Sequence, residues 1–257
     1  MVRYYCSGFD ISNIFGHGLG EMIKSELVEN RSIVFITGNP NRPEKMEFDR
    51  NVIIPNFISN FENSGIKFNE KESYIIPDID SSDAVNKIKN ASLLFLLGGD
   101  PFEQKKMCEE MGIMSAIKEF DGIMMGMSAG AMLMSKYIIV TPCSDEYPDF
   151  RIENGLNMDG ISIYPHNNTE LEEYPEVLCV GKESYKKDDL INVAKKYGDY
   201  YLIQDNKVDD DWDISIIKVD NGIVSLYTEN NGKIWEATPN GLNLVTQSKN
   251  NEIKKTI

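Results

Sequence analysis

Residues 122–136 read GIMMGMSAGAMLMSK, and this stretch decides the fold. Residues 122–125 are a short apolar run, the pattern of a buried strand, and residues 129–135 continue as a helix of small and apolar side chains. Between them stands Gly126-Met127-Ser128-Ala129-Gly130, a G-x-S-x-G. Strand, glycine-flanked turn and helix form the context in which this pattern works as a nucleophile elbow. The turn strains the serine backbone and projects its hydroxyl, and the glycines permit the close approach it needs. The helix aims free N–H groups and its partial positive charge at the same point, which favours a developing oxyanion. Ser128 is therefore the candidate nucleophile, and the Ala129 N–H the first oxyanion donor. Stripped of chemistry, the same residues are a glycine-rich turn whose serine caps a helix. The strand-turn-helix context favours the elbow.

Outward from the elbow, short apolar runs alternate with amphipathic ones. Strands are predicted at residues 33–37 (IVFIT), closed by Gly38-Asn39-Pro40, at 73–76, and at 92–97 (SLLFLL), closed by Gly98-Gly99-Asp100-Pro101. Further strands are expected at 161–164, running into Pro165-His166, and at 200–203. Helices are predicted at 52–63 with Pro55 in the first turn, at 82–90 with Ser82 as N-cap, at 103–119 with a break near Gly112, and at 188–196. This rhythm predicts an α/β fold, a mostly parallel central sheet flanked by helices. Residues 142–157 read as an acidic loop.

From Trp212 the texture changes. Apolar runs at 214–219, 223–227 and 233–236 are separated by Asp220-Asn221-Gly222 and Asn230-Asn231-Gly232, turns whose Asn and Gly tolerate positive φ. Residues 212–247 are thus expected to form a C-terminal antiparallel β appendage, and the polar residues 248–257 a fraying, flexible tail. The 257 residues fit a single domain over 1–257, long enough to bury a core without disulfide or metal staples.

Composition excludes several function classes. Asp and Glu number 41 against 26 Lys and Arg, a net charge of −15, which repels nucleic-acid backbones. No apolar run reaches the ~18 residues of a membrane span, and the N-terminus lacks the apolar core of a signal peptide. Cys6, Cys108, Cys143 and Cys179 are scattered without a C-x-x-C, which fits reduced thiols and a cytoplasmic protein. Two isolated histidines form no metal-ligand motif, so no metal and no cofactor is expected. Oligomeric state leaves no mark in the sequence.

A serine hydroxyl needs a base to take its proton. Only His17 and His166 are available. His17 sits in a glycine-rich stretch before the run at 33–37, whereas His166 follows a short apolar strand downstream of the serine, where an α/β sheet can present a base. A third group should orient the imidazole and stabilise its cation. Asp145, Glu146, Glu170, Glu172, Glu173 and Asp205 all qualify by position, and spacing does not choose among them. Gly98-Gly99, at the carboxyl end of the run at 92–97, is suited to bring a second N–H donor to a ligand.

Taken together, Leu97-Gly98-Gly99-Asp100-Pro101-Phe102, Gly126-Met127-Ser128-Ala129-Gly130-Ala131 and Pro165-His166 resemble the dipeptidase E and cyanophycinase family. Its members are serine peptidases built on the class I glutamine amidotransferase-like fold. The resemblance implies Ser128 as nucleophile, His166 as base, Gly99 and Ala129 as oxyanion donors, and Asp100 in substrate binding. It implies either Asp205 or Asp145 as third member, with Asp205 favoured as partner of His166. It implies a small-peptide substrate, with aspartyl dipeptides as one option and a cyanophycinase-like isopeptidase or a non-catalytic binding protein as alternatives. Two departures stand out. The family's glycine pair is often followed by Asn where this chain has Asp100. Dipeptidase E carries an arginine shortly before the loop acid, suited to a P1 aspartate, and residues 138–145 have none. Arg151, Lys136 and Lys182 are the basic residues that could substitute.

Overall fold

The computed structural model describes residues 1–8, 18–27, 32–69, 73–142, 149–166, 178–180, 183–185, 187–204, 207–208, 211–212, 215–228, 232–247 and 253–256. Five strands run parallel: β1 (Val2–Cys6), β2 (Ile33–Gly38), β3 (Tyr74–Ile76), β4 (Leu93–Gly99) and β5 (Ile123–Met127). Their spatial order is β1-β5-β4-β2-β3. β2 is buried along its whole length and β4 through Leu97, because helices cover both faces of the sheet. Val34, Ile36, Leu94 and Leu96 face the helices Ser81–Asn90, Pro101–Glu110, Met114–Lys118 and Ala129–Met134. Ile33, Phe35, Leu93 and Phe95 face Leu19–Glu26 and Ile54–Asn63. The chain moves outward from β2 to β3, then returns to β4 on the other side of β2. That reversal makes the carboxyl ends of β2 and β4, beside the end of β5, the topological switch point of the sheet, where open α/β sheets usually bind ligands.

The predicted α/β class holds, and several local readings change. β1 was not anticipated, yet it lies inside the sheet between β5 and Ser215–Asp220. Carboxylates far along the chain meet most of its polar side-chain atoms, and the Tyr4 hydroxyl donates to Glu26 at 2.5 Å. Arg3 pairs with Asp159 at 2.6 Å, and the Tyr5 hydroxyl donates to the same residue at 2.7 Å. The helix expected at 52–63 is the end of a longer run: Pro43–Phe48, a π-helical turn Asp49–Ile53, then Ile54–Asn63. The helix Ser81–Asn90 starts from Asp80 and not Ser82, since the Ala84 N–H already donates to the Asp80 carbonyl at 2.8 Å. The region read as an acidic loop contains the strand Arg151–Asn154, paired with Tyr137–Val140.

The residues expected as one appendage divide between two sheets. The hairpin Ser215–Asp220/Ile223–Thr228 extends the main sheet antiparallel to β1. Its turn has positive φ at Asn221 and Gly222 (49° and 79°), as Asn-Gly predicts. The hairpin Lys233–Thr238/Gly241–Gln247 joins Tyr200–Gln204 and Ile163–Tyr164 in a separate four-stranded sheet. The turn at Asn230 and Asn231 lies outside the described residues. Of the residues read as a tail, 253–256 are described, and they form a strand. Ile253–Thr256 pairs with Ile223–Thr228 at the sheet edge. No described helix is long and apolar enough to cross a membrane.

Candidate active site

β5 carries the chain to the carboxyl edge of the sheet, where it turns into the helix Ala129–Met134. Ser128, at the turn, has φ 51° and ψ −112°, a conformation that L-residues rarely adopt. Two anchors hold it. The Ser128 N–H donates to the Cys6 carbonyl at 2.9 Å, and the Ser128 carbonyl accepts from Met132 N–H at 3.0 Å. The helix behind it is buried on every side. The flanking glycines are required by contact. A Cβ on Gly126 would lie 2.7 Å from the Ala131 nitrogen, and one on Gly130 2.1 Å from the Leu96 carbonyl oxygen.

The second sheet delivers His166. From Ile163–Tyr164 the chain passes Pro165 to His166, which has φ 57°. His166 Nε2 lies 2.7 Å from Ser128 Oγ. The His166 backbone N–H donates to Ser7 Oγ at 2.9 Å, and Nδ1 lies 3.5 Å from that oxygen. Ser7 is fully buried and directly follows β1. Sequence reasoning missed it, because its only signal is adjacency to a strand that was itself unread. With the proton on Nδ1, Nε2 presents its lone pair to the serine hydroxyl, the arrangement that lets Oγ attack as its proton leaves.

The glycine turn at the end of β4 adjoins the serine. A Cβ on Gly98 would lie 3.6 Å from Ser128 Cβ. Gly99 has φ 143°, and a Cβ there would strike the Gly38 carbonyl oxygen at 2.4 Å. The Asp100 N–H donates to that same carbonyl at 2.8 Å. The Asp100 carboxylate, expected at the substrate, caps the helix Pro101–Glu110: Oδ1 accepts from the N–H groups of Phe102 at 2.8 Å and Glu103 at 3.1 Å. Ala129 is buried at the first position of the elbow helix.

Asp145 and Asp205 lie outside the described residues, as do His17, Glu146, Glu170, Glu172, Glu173 and Lys182. Of the substitute basic groups, Lys136 lies over the Tyr137 ring at 5.2 Å. Arg151 stacks on the Phe102 ring at 3.6 Å and pairs with Glu153 at 2.8 Å, in a cleft also lined by Asp100 and Lys105. Among the described residues no three His, Cys, Asp or Glu side chains gather as a metal-ligand set.

Residues 51–195 match the model of Peptidase family S51, a span that includes the glycine turn, Ser128 and His166. No curated protein matches the chain. Among solved structures it is similar to a peptidase from an acI-B1 Actinobacterium, with 15% identity, a TM-score of 0.62, and coverage of 100% of this chain and 96% of that one. It is also similar to a candidate peptidase E protein from Listeria monocytogenes EGD-e, with 15% identity, a TM-score of 0.53, and coverage of 88% and 96%. These two likenesses show the fold, while the family match covers more than half of the chain. The chain belongs to Peptidase family S51 and is a serine-type peptidase.

Proposed function

We propose that the protein is an exopeptidase that hydrolyses small peptides through an acyl-enzyme on Ser128. Ser128 Oγ attacks the scissile carbonyl carbon while its proton passes to His166 Nε2. The N–H groups of Gly99 and Ala129 receive the oxyanion. The C–N bond breaks as His166 returns the proton to the leaving amine. Water, deprotonated by His166, then attacks the ester and frees the acid. Asp205 or Asp145 completes the triad at Nδ1. Arg151, beside Asp100 and Phe102, is the group proposed to meet an acidic P1 side chain in aspartyl dipeptides. Free thiols at Cys6 and Cys108 fit a cytoplasmic setting.

The observation that carries this reading is the 2.7 Å contact between Ser128 Oγ and His166 Nε2 at a strained elbow. A panel of Asp-Leu, Ala-Leu, Glu-Leu and Arg-Leu, with Ser128→Ala as control, tests it. Serine-dependent cleavage of Asp-Leu above the others is the expected result. Undiminished turnover by Ser128→Ala would overturn the mechanism. Serine-dependent cleavage of another member alone would overturn the aspartyl specificity.

A further inference from the structure

The Gly98–Gly99 peptide has two ends, and only one of them has been given a task. Its N–H belongs to Gly99, the proposed oxyanion donor. Its carbonyl belongs to Gly98 and accepts from Asn39 Nδ2 at 3.3 Å. In a planar trans peptide the C=O and N–H point in opposite directions. A group that fixes the carbonyl therefore fixes where the N–H aims.

Asn39 is itself held. Its backbone N–H donates to Thr37 Oγ1 at 3.1 Å, and Thr37 Oγ1 donates to Asp49 Oδ2 at 2.9 Å. Asp49 is 8% exposed and opens the π-helical turn Asp49–Ile53. An extra residue in a helical turn redirects the side chains at that point, and such turns recur at functional sites. Burial raises the Asp49 pKa, and the hydrogen bond from Thr37 only partly offsets it. A carboxylate kept in so unfavourable a place, and bonded to Thr37 near the carboxyl end of β2, reads as a device for the turn. Helix-to-strand packing alone would be served better by an apolar side chain.

We infer that Asn39 and Asp49 are positioning residues for the oxyanion turn: Asn39 orients the Gly98–Gly99 peptide, and Asp49 holds Asn39 through Thr37. Neither residue touches the reacting atoms. The inference rests on the proposed acyl-enzyme reading, and its test separates the two.

The full-length protein is treated with a fluorophosphonate probe, and labelling of Ser128 is followed by mass spectrometry. In that reaction the Oγ–P bond forms, the P–F bond breaks, fluoride leaves and His166 takes the proton, while the phosphoryl oxygen draws on the same N–H donors. Losing an oxyanion donor outright slows catalysis by about 100-fold to 1000-fold, so misaiming one is expected to slow labelling by roughly 10-fold to 100-fold in Asn39→Ala. Asp49→Ala is expected to lose roughly 10-fold, and Asp49→Asn, which keeps an acceptor for Thr37, to recover to within about 3-fold of wild type. With the dipeptide that wild type cleaves fastest, Asn39→Ala should lower kcat and leave KM unchanged, a split that a merely structural role would not give. Wild-type labelling in a folded Asn39→Ala overturns the inference, as does a loss no larger than the fraction of protein unfolded. Failure of the wild-type protein to label at Ser128 overturns the serine reading and this inference with it.

Discussion

Gly130→Ala sets two physical effects against each other at the elbow. Gly130 lies within the helix Ala129–Met134, where alanine is the better helix former by about 1 kcal/mol. Propensity alone therefore predicts a more stable protein. The added Cβ would lie 2.1 Å from the Leu96 carbonyl oxygen and 2.5 Å from its carbon. Reaching ordinary C···O contact requires a retreat of about 1 Å or more. The obstacle is the backbone of β4, which pairs with β5 on one side and β2 on the other and has no rotamer with which to yield. Overpacking of this kind costs about 1–3 kcal/mol, and a backbone clash belongs at the upper end. Subtracting the helical gain leaves a net loss of about 2 kcal/mol, or roughly 4–8 °C in Tm for a chain of this size. The displacement falls two residues before Gly98, so it also moves the glycine turn relative to Ser128. A misplacement near 1 Å is expected to lower kcat by about 100-fold. Thermal unfolding and steady-state kinetics on a cleaved dipeptide measure both. A Gly130→Ala protein with unchanged or raised Tm and wild-type kcat would refute the close-approach argument.

Other outcomes follow from the same geometry. Ser7→Ala leaves the His166 backbone N–H without its acceptor, so stability should fall by about 1–3 kcal/mol; kcat should fall about tenfold with KM held. Equal kcat in the variant would show that the Ser7 contact does not place the imidazole. Burial pushes the Cys108 thiol up to about 12 and the Cys6 thiol higher still, so each stays protonated at pH 8. Iodoacetamide at pH 8 should spare both in the native protein and modify both in guanidinium. Peptide mapping that finds either alkylated at the rate of a free thiol in the native state contradicts the burial. Below its raised folded-state pKa, Asp49 adds stability that is lost as pH rises through that value, because the folded protein holds the proton more tightly than the unfolded chain. Asp49→Asn should flatten this decline between acidic and neutral pH, and an unchanged pH profile of Tm would count against it.

The parts of this fold that are legible in the sequence are those written in local pattern. The runs at 33–37 and 92–97 become β2 and β4 because uninterrupted apolar residues fit a strand covered on both faces. The elbow is legible because its glycines, serine and helix are contiguous. The meeting of His166 with Ser128 is legible because a candidate nucleophile calls for a base and the chain has two histidines. What escaped reading depends on partners far along the chain. Arg3 and Tyr5 disguise β1 until Asp159, more than 150 residues away, meets both. Ser7, 159 residues from His166, carries no motif of its own. Asp49 looks like one surface acid among 41 until the π-helical turn points it inward. Residues 253–256 look like a frayed end because the strand edge that receives them cannot be seen from their own composition.

The proposed mechanism requires that Ser128, activated by His166, becomes acylated during turnover. Rapid acid quench of the protein with an aspartyl or alanyl p-nitroanilide, followed by peptide mass analysis, addresses it directly. The account predicts the acyl mass on the peptide containing Ser128, its absence in Ser128→Ala, and strongly slowed formation in His166→Ala. Turnover with no acyl mass on that peptide, together with full activity in Ser128→Ala, would contradict it.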